Sequence, residues 1–396
     1  MTDTSKPEDN AQMRMPNIAS GANGRCPVGG TSESISTTTR KQPDNARRRQ
    51  HLRGKLNAPV YGALDLGTNN CRLLVARPSR RGFQVIDAFS RIIRLGEGLS
   101  NTGMLSDDAM ARTLDALKIC SDKMERREVH RSRLIATEAC RVAQNSQDFV
   151  NRVRDEIGLN IEVISRETEA RLAVAGCASL LDRNCDWALV FDIGGGSSEL
   201  IWLNLQQMST NRRPTLTERV QVQNAIAAWT SLPIGVVTLA ERYGGQNVDG
   251  GIFEAMVGDV TAKLQEFEAI HNIISQIGNG KVHFLGTSGT VTTVAGIYLG
   301  LPAYNRTKVD GCWLSDTNVR SVTADLLAMT YQGRRNQPCI GPERADLVLA
   351  GCAILEAMLR IWPTNWLRVA DRGLREGILT SLMAEDIRSN SRRSPR

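Results

Sequence analysis

A chain of 396 residues with 41% hydrophobic residues can bury the core of one large or two medium domains. It has no apolar run near the roughly 18 residues of a membrane helix and no secretory signal, so we expect no membrane partner. The net charge of +7 comes from the ends, since residues 1–57 contribute +5 and residues 388–396 contribute +4, which leaves −2 between them. We therefore expect no nucleic-acid partner, a disordered basic tail over residues 1–57 and a basic C-terminal tail over residues 388–396.

The first half of the folded region, which we expect to begin near Ala58, opens with a predicted strand pair. "VYGALDLG" and "NCRLLVARPS" are apolar runs on either side of a turn at Gly67–Asn70, and "GFQVIDAFSRIIRLG" continues as strand. A helix should follow Ser106, an N-cap residue placed before apolar residues at helical spacing. The pattern then predicts a strand in "RLIATEAC", a helix ending at Gly158, a strand in "NIEVIS" and a helix in "RETEARLAVAGCASLL".

A second half starts afresh with "DWALVFDIGGGSSELIWL", which predicts another strand–turn–strand unit. Residues 204–231 are interpreted as a polar excursion between core elements, and a helix is predicted near Phe253–His271. Later segments predict a strand, turn and helix in "KVHFLGTSGTVTTVAGIYLG", a buried helix in "ERADLVLAGCAILEAMLRIW", and a strand, loop and last helix in "WLRVADRGLREGILTSLMA". This repetition indicates duplicated α/β domains, over residues 58–172 and 173–387, around a cleft.

Three turns rich in Gly, Ser and Thr favour a ligand that carries several phosphates. Glycine lets the backbone approach a ligand closely, and successive free N–H groups bind anions. The candidate phosphate-binding residues of these turns are Gly67, Thr68, Asn69 and Asn70, then Gly194, Gly195, Gly196, Ser197 and Ser198, and then Gly286, Ser288 and Gly289. The alternative is three ordinary tight turns, because short glycine motifs often occur by chance.

Two acids accompany these turns, since Asp65 and Asp192 each close an apolar strand. A carboxylate beside a bound phosphate is repulsive unless it holds a cation or activates water. A Mg²⁺ ion between carboxylate and phosphate oxygens would remove that repulsion. The alternative is that each Asp caps its turn, but the recurrence of the same position favours contact with metal or water.

Six segments together resemble the exopolyphosphatase/guanosine-pentaphosphate phosphohydrolase (Ppx/GppA) family. They are, in order, "ALDLGTNNCRLLVA", "ATEACRVAQN", "VISRETEARLAVAG", "LVFDIGGGSSEL", "FLGTSGTVTTVAG" and "LREGIL", and the resemblance as a whole covers residues 58–386. The resemblance implies an α/β fold, namely the duplicated, actin-like (ribonuclease H-like) two-domain fold of the actin/sugar kinase/Hsp70 superfamily. It also implies Mg²⁺-dependent hydrolysis of the terminal phosphate from inorganic polyphosphate or guanosine pentaphosphate.

The same resemblance implies roles for individual side chains. Glu169 looks like the catalytic glutamate that activates water, although its position beside Glu167 alone would suggest a solvated helix residue. Glu199 looks like a second catalytic acid, and the residues that look like metal ligands are Asp65, Asp192 and Glu199. Arg72 and Arg141 look like phosphate-contacting cations, a role that suits the bidentate guanidinium.

Some features depart from the family pattern or leave the function open. The chain stops 19 residues after "LREG", where longer members continue with a helical domain, and "ADRGLREG" replaces the "SDGALREG" type of sequence. The choice between polyphosphate and guanosine pentaphosphate therefore stays open. Two alternatives remain, an ATP-dependent small-molecule kinase of the same superfamily and a nucleotide-switched actin-like assembly protein.

Cysteine usage and assembly complete the expectations. Nine cysteines occur without any C-x-x-C pair and without zinc-like Cys/His spacing. Together with the missing export signal, this pattern indicates reduced, mostly buried thiols in a cytoplasmic protein. The sequence does not address the oligomeric state, and a homodimer is kept as an option.

Overall fold

The computed structural model describes residues 58–80, 82–208, 214–279 and 281–393. They belong to one compact unit that spans Gly54–Arg396. The expectation of disorder over residues 1–57 lies outside the described residues. No helix in the described ranges is long and apolar enough to cross a membrane.

Two mixed β-sheets form the framework of the described residues. The first has the strand order β3-β2-β1-β4-β5 and the second has the order β10-β11-β9-β6-β7-β8. The strands are β1 (Tyr61–Leu66), β2 (Asn70–Ser79), β3 (Gly82–Ile92), β4 (Arg131–Ala136), β5 (Glu162–Val163), β6 (Trp187–Ile193), β7 (Ser198–Asn204), β8 (Ile226–Leu232), β9 (Val282–Thr287), β10 (Trp313–Ser315) and β11 (Trp366–Ala370).

Helices cover both sheets and connect their strands. The α-helices are α1 (Leu99–Thr102), α2 (Asp107–Arg126), α3 (Glu138–Val142), α4 (Ser146–Ile157), α5 (Arg166–Cys177), α6 (Leu216–Gln221), α7 (Val236–Tyr243), α8 (Gly250–His271), α9 (Ile273–Gly278), α10 (Gly289–Tyr298), α11 (Arg306–Val309), α12 (Asp316–Ala328), α13 (Tyr331–Asn336), α14 (Val348–Ile361) and α15 (Leu374–Arg393). Short 3₁₀ helices lie at Ala178–Leu180, Leu205–Gln207 and Val222–Ala225.

The second sheet repeats the topology of the first. In the first sheet β1 pairs antiparallel with β2 and parallel with β4. In the second, β6 pairs antiparallel with β7 and parallel with β9. The order β8-β7-β6-β9-β11 therefore matches β3-β2-β1-β4-β5, and β10 is an additional antiparallel edge strand. This repetition confirms the predicted duplicated α/β architecture.

Helix ends follow the capping signals in the sequence. The side chain of Ser106 accepts a hydrogen bond from the Ala109 N–H at the start of α2. Helix α4 ends at Gly158, whose φ of 76° is in the left-handed region that favours glycine. Ser165 caps α5 in the same way as Ser106 caps α2. These ends are where the sequence predicts them.

The segment over residues 204–231 corrects one prediction. Its last residues begin β8, which pairs antiparallel with β7 as the outer strand of the second sheet, so they are not an excursion between core elements. A capping box of Thr215 and Glu218 also starts α6 within it. Strand β8 is buried mainly on one face, so its apolar signal is weak beside the polar stretch before it.

Helices α5 and α15 cross between the two sheets at glycines. A Cβ atom on Gly176 would lie 1.9 Å from the Gly373 carbonyl oxygen, and one on Gly377 would lie 1.9 Å from that of Leu172. Only glycine permits this approach of two backbones. The boundary predicted after residue 172 thus falls inside α5, and residues 388–393 of the predicted tail continue α15.

Alternation along the strands decides which helix each sheet face meets. In the first sheet, Ala63 and Leu74 pack with α15, whereas their neighbours Leu64 and Leu73 pack on the opposite face with α2. In the second sheet, side chains such as Val190 pack with α5. Since side chains at i and i+2 share a face, these contacts fix the direction of polar residues at the strand ends.

Candidate functional site

The first hairpin places an acid and a base side by side. Asp65 is the last residue but one of β1 and lies directly opposite Arg72 of β2. Residues in such register point to the same face of the sheet. Asp65 shares its face with Ala63, and Arg72 shares it with Leu74, so both point to the side that α15 covers.

The turn after β1 exposes backbone donors. The Gly67 N–H donates to the Asn70 carbonyl at 2.9 Å, while the Thr68 and Asn69 carbonyls accept from the segment over residues 93–96 at 2.9 to 3.1 Å. The N–H groups of Thr68 and Asn69 donate to no partner in the described ranges. With its carbonyls held on one side, the turn can offer these N–H groups to an anion.

The second hairpin has the same design but carries two acids. Asp192 of β6 lies opposite Glu199 of β7, and the apolar side chains on that face pack with α5. The hydroxyls of Ser197 and Ser231 donate to the Glu199 Oε1 at 2.7 and 2.9 Å. Ser231 belongs to β8, and the sequence of the polar segment around it does not predict this hydrogen bond to Glu199.

The second turn repeats the hydrogen bonds of the first. The Gly194 N–H donates to the Ser197 carbonyl at 2.9 Å, and the Gly194 and Gly195 carbonyls accept from the first residues of α7 at 3.0 and 2.8 Å. Among the described residues, the N–H groups of Gly195 and Gly196 have no acceptor. Both turns therefore show free backbone donors next to an acid.

The two turns touch each other. A Cβ atom on Gly195 would lie 3.0 Å from the Thr68 Cβ, and one on Gly196 would lie 2.8 Å from the Thr68 Oγ1. These glycines are required because any side chain would push the two halves apart. The cleft is thus closed at the turns that the sequence predicts to hold phosphate.

The third turn combines a strained serine with a neighbouring arginine. Ser288 has a φ of 113°, and its Oγ is buried without a partner among the residues described. Gly289 starts α10, and its Cβ position would lie 4.0 Å from the Arg72 Nη2, so Arg72 reaches from the first sheet to this turn. Gly286, by contrast, lies inside β9, where a Cβ would meet the Phe191 ring at 2.8 Å.

Three other predicted residues have different surroundings. The Oδ1 atoms of Asn69 and Asn70 are buried and accept no hydrogen bond within the described part of the chain. The Ser198 hydroxyl donates to the Ile234 carbonyl at 2.7 Å and lies on the face opposite to Glu199. The structure therefore uses the Ser198 hydroxyl to hold the backbone after β8.

Glu169 is a partly buried side chain and not a fully solvated one. It is 13% exposed, whereas Glu167 is 51% exposed. The Arg141 Nη1 lies 2.7 Å from the Glu169 Oε2. This contact is an ion pair by distance, although the Oε2 atom accepts no aligned hydrogen bond among the described residues. The same nitrogen also donates to the Ile164 carbonyl at 3.0 Å.

Four carboxyl groups from both halves influence one another. Burial and then the charge of Glu199 raise the pKa of Glu169. Burial, with the charges of Glu169 and Asp65, raises the pKa of Asp192 to about 7. Burial also raises the pKa values of Glu199 and Asp65. The structure therefore brings together all four acids that the sequence predicts.

Two guanidinium groups, those of Arg72 and Arg375, lie near these acids. Within the described ranges, neither Arg72 nor Arg375 makes a hydrogen bond or an ion pair, and the positive charges of both act to lower the pKa of Asp65. Arg375 is in the first turn of α15, the helix that Asp65 faces. It is a site residue that the sequence predictions miss, although it lies in the quoted segment "LREGIL".

The carboxyl groups at the turns fit Mg²⁺ as it is bound in enzymes that act on phosphates. No group of three His, Cys, Asp or Glu side chains in the described ranges could hold a metal by itself. Mg²⁺ in such sites binds one or two carboxylates and completes its shell with water and substrate phosphate. Asp65, Asp192 and Glu199 carry carboxylate oxygens of this kind beside the turns.

Comparison with known proteins places these features in context. The profile of the Ppx/GppA phosphatase family matches residues 74–386. The chain is 29% identical over 337 residues to a guanosine-5'-triphosphate,3'-diphosphate pyrophosphatase of Photobacterium profundum, covering 83% of this chain and 60% of that protein. The chain thus spans about 60% of the length of this curated relative.

Solved structures show the same fold. A Ppx/GppA family member of Aquifex aeolicus is 27% identical, with a TM-score of 0.65 over 83% of this chain and 98% of the other. An exopolyphosphatase of Cytophaga hutchinsonii is 24% identical, with a TM-score of 0.71 over 83% of this chain and 98% of the other. With the repeated sheet order, these similarities confirm the predicted duplicated α/β fold.

Proposed function

Because this chain belongs to the Ppx/GppA phosphatase family, we propose that it hydrolyses a terminal phosphoanhydride bond and releases orthophosphate from inorganic polyphosphate, guanosine pentaphosphate or both. The observation that carries this proposal is the meeting of two turns with free N–H groups beside four carboxyl groups of raised pKa. The names of the relatives support the same reaction.

The side chains have separate roles in phosphoryl transfer, which requires mainly positioning of the reacting groups and neutralisation of charge. The free N–H groups of the two turns, with Arg72 and Arg375, bind the terminal phosphate oxygens. Glu169 accepts a proton from the attacking water, and Glu199 holds that water in position. Asp65 and Asp192 would hold a Mg²⁺ ion, which would supply further neutralisation of the phosphate oxygens.

The raised pKa of Glu169 suits this role. A general base works best when its pKa is close to the operating pH. Burial and the neighbouring Glu199 charge raise the pKa of Glu169 from that of an ordinary glutamate, which makes its carboxylate a stronger proton acceptor. The Arg141 guanidinium opposes this shift and keeps the ionised form accessible.

The closed turns require that the cleft opens for substrate. Gly195 and Gly196 occupy the space beside Thr68 that a phosphate would need. Substrate therefore enters an open form, and closure around it excludes bulk water from the reacting phosphate. The α5–α15 crossing, where the sheets share two helices, is the place at which such a movement would pivot.

The same proposal covers location and assembly. Eight of the nine cysteines lie in the described ranges, and all eight are free thiols, which supports a reducing, cytoplasmic location. A homodimer stays a prediction, because the single chain offers no contact that addresses it.

The proposal is tested by phosphate release from polyphosphate and guanosine pentaphosphate side by side, with Mg²⁺ and with EDTA. We expect release from at least one substrate that stops when Mg²⁺ is removed. Turnover that EDTA leaves unchanged would contradict the magnesium role. Phosphate transfer from ATP to a sugar, without release from either substrate, would instead favour a kinase of the same superfamily.

A further inference from the structure

Glu138 is a buried acid that the proposed reaction does not use. Its side chain is 8% exposed, and it binds two arginines. The Arg141 Nε and Nη2 donate to Oε2 at 3.0 and 2.8 Å, and the Arg166 Nη2 donates to Oε1 at 2.7 Å. Although burial acts to raise it, the pKa of Glu138 is lowered because both arginines bind the ionised form. Glu138 is therefore a fixed negative charge.

Arg141 carries this fixed position to the proposed base. One edge of its guanidinium is held by Glu138, and its Nη1 donates to the Ile164 carbonyl at 3.0 Å. The same Nη1 lies 2.7 Å from the Glu169 Oε2. A planar guanidinium held on both edges cannot rotate, so the place of Arg141 decides where the Glu169 carboxylate rests.

Glu138 also touches the second half of the molecule. A Cβ atom on Gly196 would lie 3.2 Å from the Glu138 Cγ and 3.5 Å from its Cβ. The second turn thus rests on the stem of Glu138 while the cleft is closed. The stem of the Glu138 side chain contacts the second turn, and its carboxylate binds Arg141, the arginine that faces Glu169.

We propose that Glu138 is a positioning residue which, through Arg141, sets the Glu169 carboxylate in place when the second turn closes on it. This role rests on the proposed function, since it presupposes that Glu169 activates water. If these ion pairs were purely structural, their loss would lower the stability of the fold without a selective loss of kcat.

The change Glu138→Gln tests the charge with little change of shape. A neutral amide cannot hold two guanidinium groups, so Arg141 would turn fully to Glu169 and pull its carboxylate away from the water. Small displacements of catalytic groups cost up to about 10²-fold in rate. We expect kcat to fall by about 10- to 100-fold and KM to stay within about threefold, because Glu138 does not contact substrate.

Matched variants separate this role from a general effect. Glu167→Gln removes an exposed acid from the same region, where it pairs with Arg171 at 2.9 Å, and should leave kcat unchanged. Glu138→Asp keeps the charge but is one methylene shorter, so we expect a smaller kcat-selective loss. This second variant also serves if Glu138→Gln does not fold, which thermal unfolding would show.

The deciding measurement is a double-mutant cycle with Arg141→Gln, read as phosphate release by the full-length chain. If Glu138 acts through Arg141, then Glu138→Gln should lower kcat little further once Arg141 is changed. Additive losses in an active protein would overturn the positioning role and leave the proposed function standing. A wild-type protein that releases no phosphate would overturn both.

Discussion

The two hairpins have one backbone design but differ in the charges of the cross-strand pair next to the turn. In each, the first glycine closes the turn, and a following segment binds the turn carbonyls. Asp65 lies opposite Arg72 in the first hairpin, whereas Asp192 lies opposite Glu199 in the second. The first pair faces α15 and the second faces α5.

This difference shows how a duplicated scaffold acquires two roles. The shared turns supply N–H donors on both sides of one cleft, so either hairpin can approach phosphate. The cross-strand partner then decides what is added. Arg72, with Arg375 of α15, gives the first side cations, while Glu199, with Glu169 of α5, gives the second side proton acceptors. The experiments below separate these contributions.

Removal of the base on the acidic side should have the largest effect. Glu169→Gln keeps the shape of the side chain but removes the proton acceptor, and a general base typically contributes about 10²–10⁴-fold in rate. We expect that loss in kcat with substrate binding largely retained, measured by single-turnover phosphate release and equilibrium binding. Activity within a few-fold of wild type would assign water activation to another group.

Neutralising the cationic side should act mainly on binding. Arg72→Gln and Arg375→Gln each remove one free guanidinium, and a hydrogen bond to a charged group contributes about 1.5–3 kcal/mol. We expect KM to rise by about 10- to 100-fold in each variant. Arg388→Gln, which changes an exposed residue of the same helix, is the control. Equal effects of all three changes would show that Arg375 does not bind the substrate phosphate.

The acidic hairpin should also make stability depend on pH. Burial raises the pKa of Asp192 from 3.8 to about 7, so the folded protein keeps a proton that the unfolded chain has released. Stability therefore falls as pH rises between these two values, by about 1.4 kcal/mol per pH unit for each such carboxyl. Below that window both states are protonated, and above it both are ionised.

Thermal unfolding of the metal-free protein between pH 5 and pH 8 measures this slope. Asp192→Asn should flatten it, because the amide does not titrate, and Glu167→Gln should not. Added Mg²⁺ should stabilise the protein more at pH 8 than at pH 5, since it binds the ionised carboxyls. A slope that Asp192→Asn leaves unchanged would place the bound proton elsewhere.

The sequence predicts the hairpins well because local chemistry decides them. Apolar strands, glycine turns and the acids at their ends are all visible around Asp65 and Asp192, and the predicted cap at Ser106 marks a real helix start. These signals depend on neighbours a few residues away. The family resemblance adds the burial of Glu169, which its position beside Glu167 would not suggest.

Contacts between distant segments are what the sequence does not reveal. Ser231 binds Glu199 only because β8 pairs with β7. Arg375 approaches Asp65 only because α15 returns to the first sheet through the crossing at Gly377. Glu138 becomes buried because the two halves close on it. Each depends on tertiary packing, for which a single sequence has no periodicity or spacing.

The smallest effect we expect concerns Arg94, which links the segment that supports the first turn to the second half of the molecule. Arg94 donates its N–H to the Asn69 carbonyl at 3.1 Å, and its Nη1 pairs with the Asp346 Oδ2 at 3.0 Å. It thus ties the first turn to the second half, beside a cavity of ≈ 240 Å³ that both residues line. The guanidinium is 34% exposed, so the pair contributes only about 0.2–1 kcal/mol.

Arg94→Gln removes this ion pair and keeps the backbone N–H that supports Asn69. The closed form should therefore lose stability relative to the open form, while the first turn keeps its shape. We expect up to about a fivefold rise in apparent Kd for a non-hydrolysable polyphosphate, and a larger radius of gyration by X-ray scattering without ligand. Arg152→Gln breaks a comparable surface pair with Glu156, 2.9 Å within α4, and should change neither value. If the two variants behave alike, closure depends on the contact of Gly195 and Gly196 with Thr68, and the hairpins themselves hold the cleft shut.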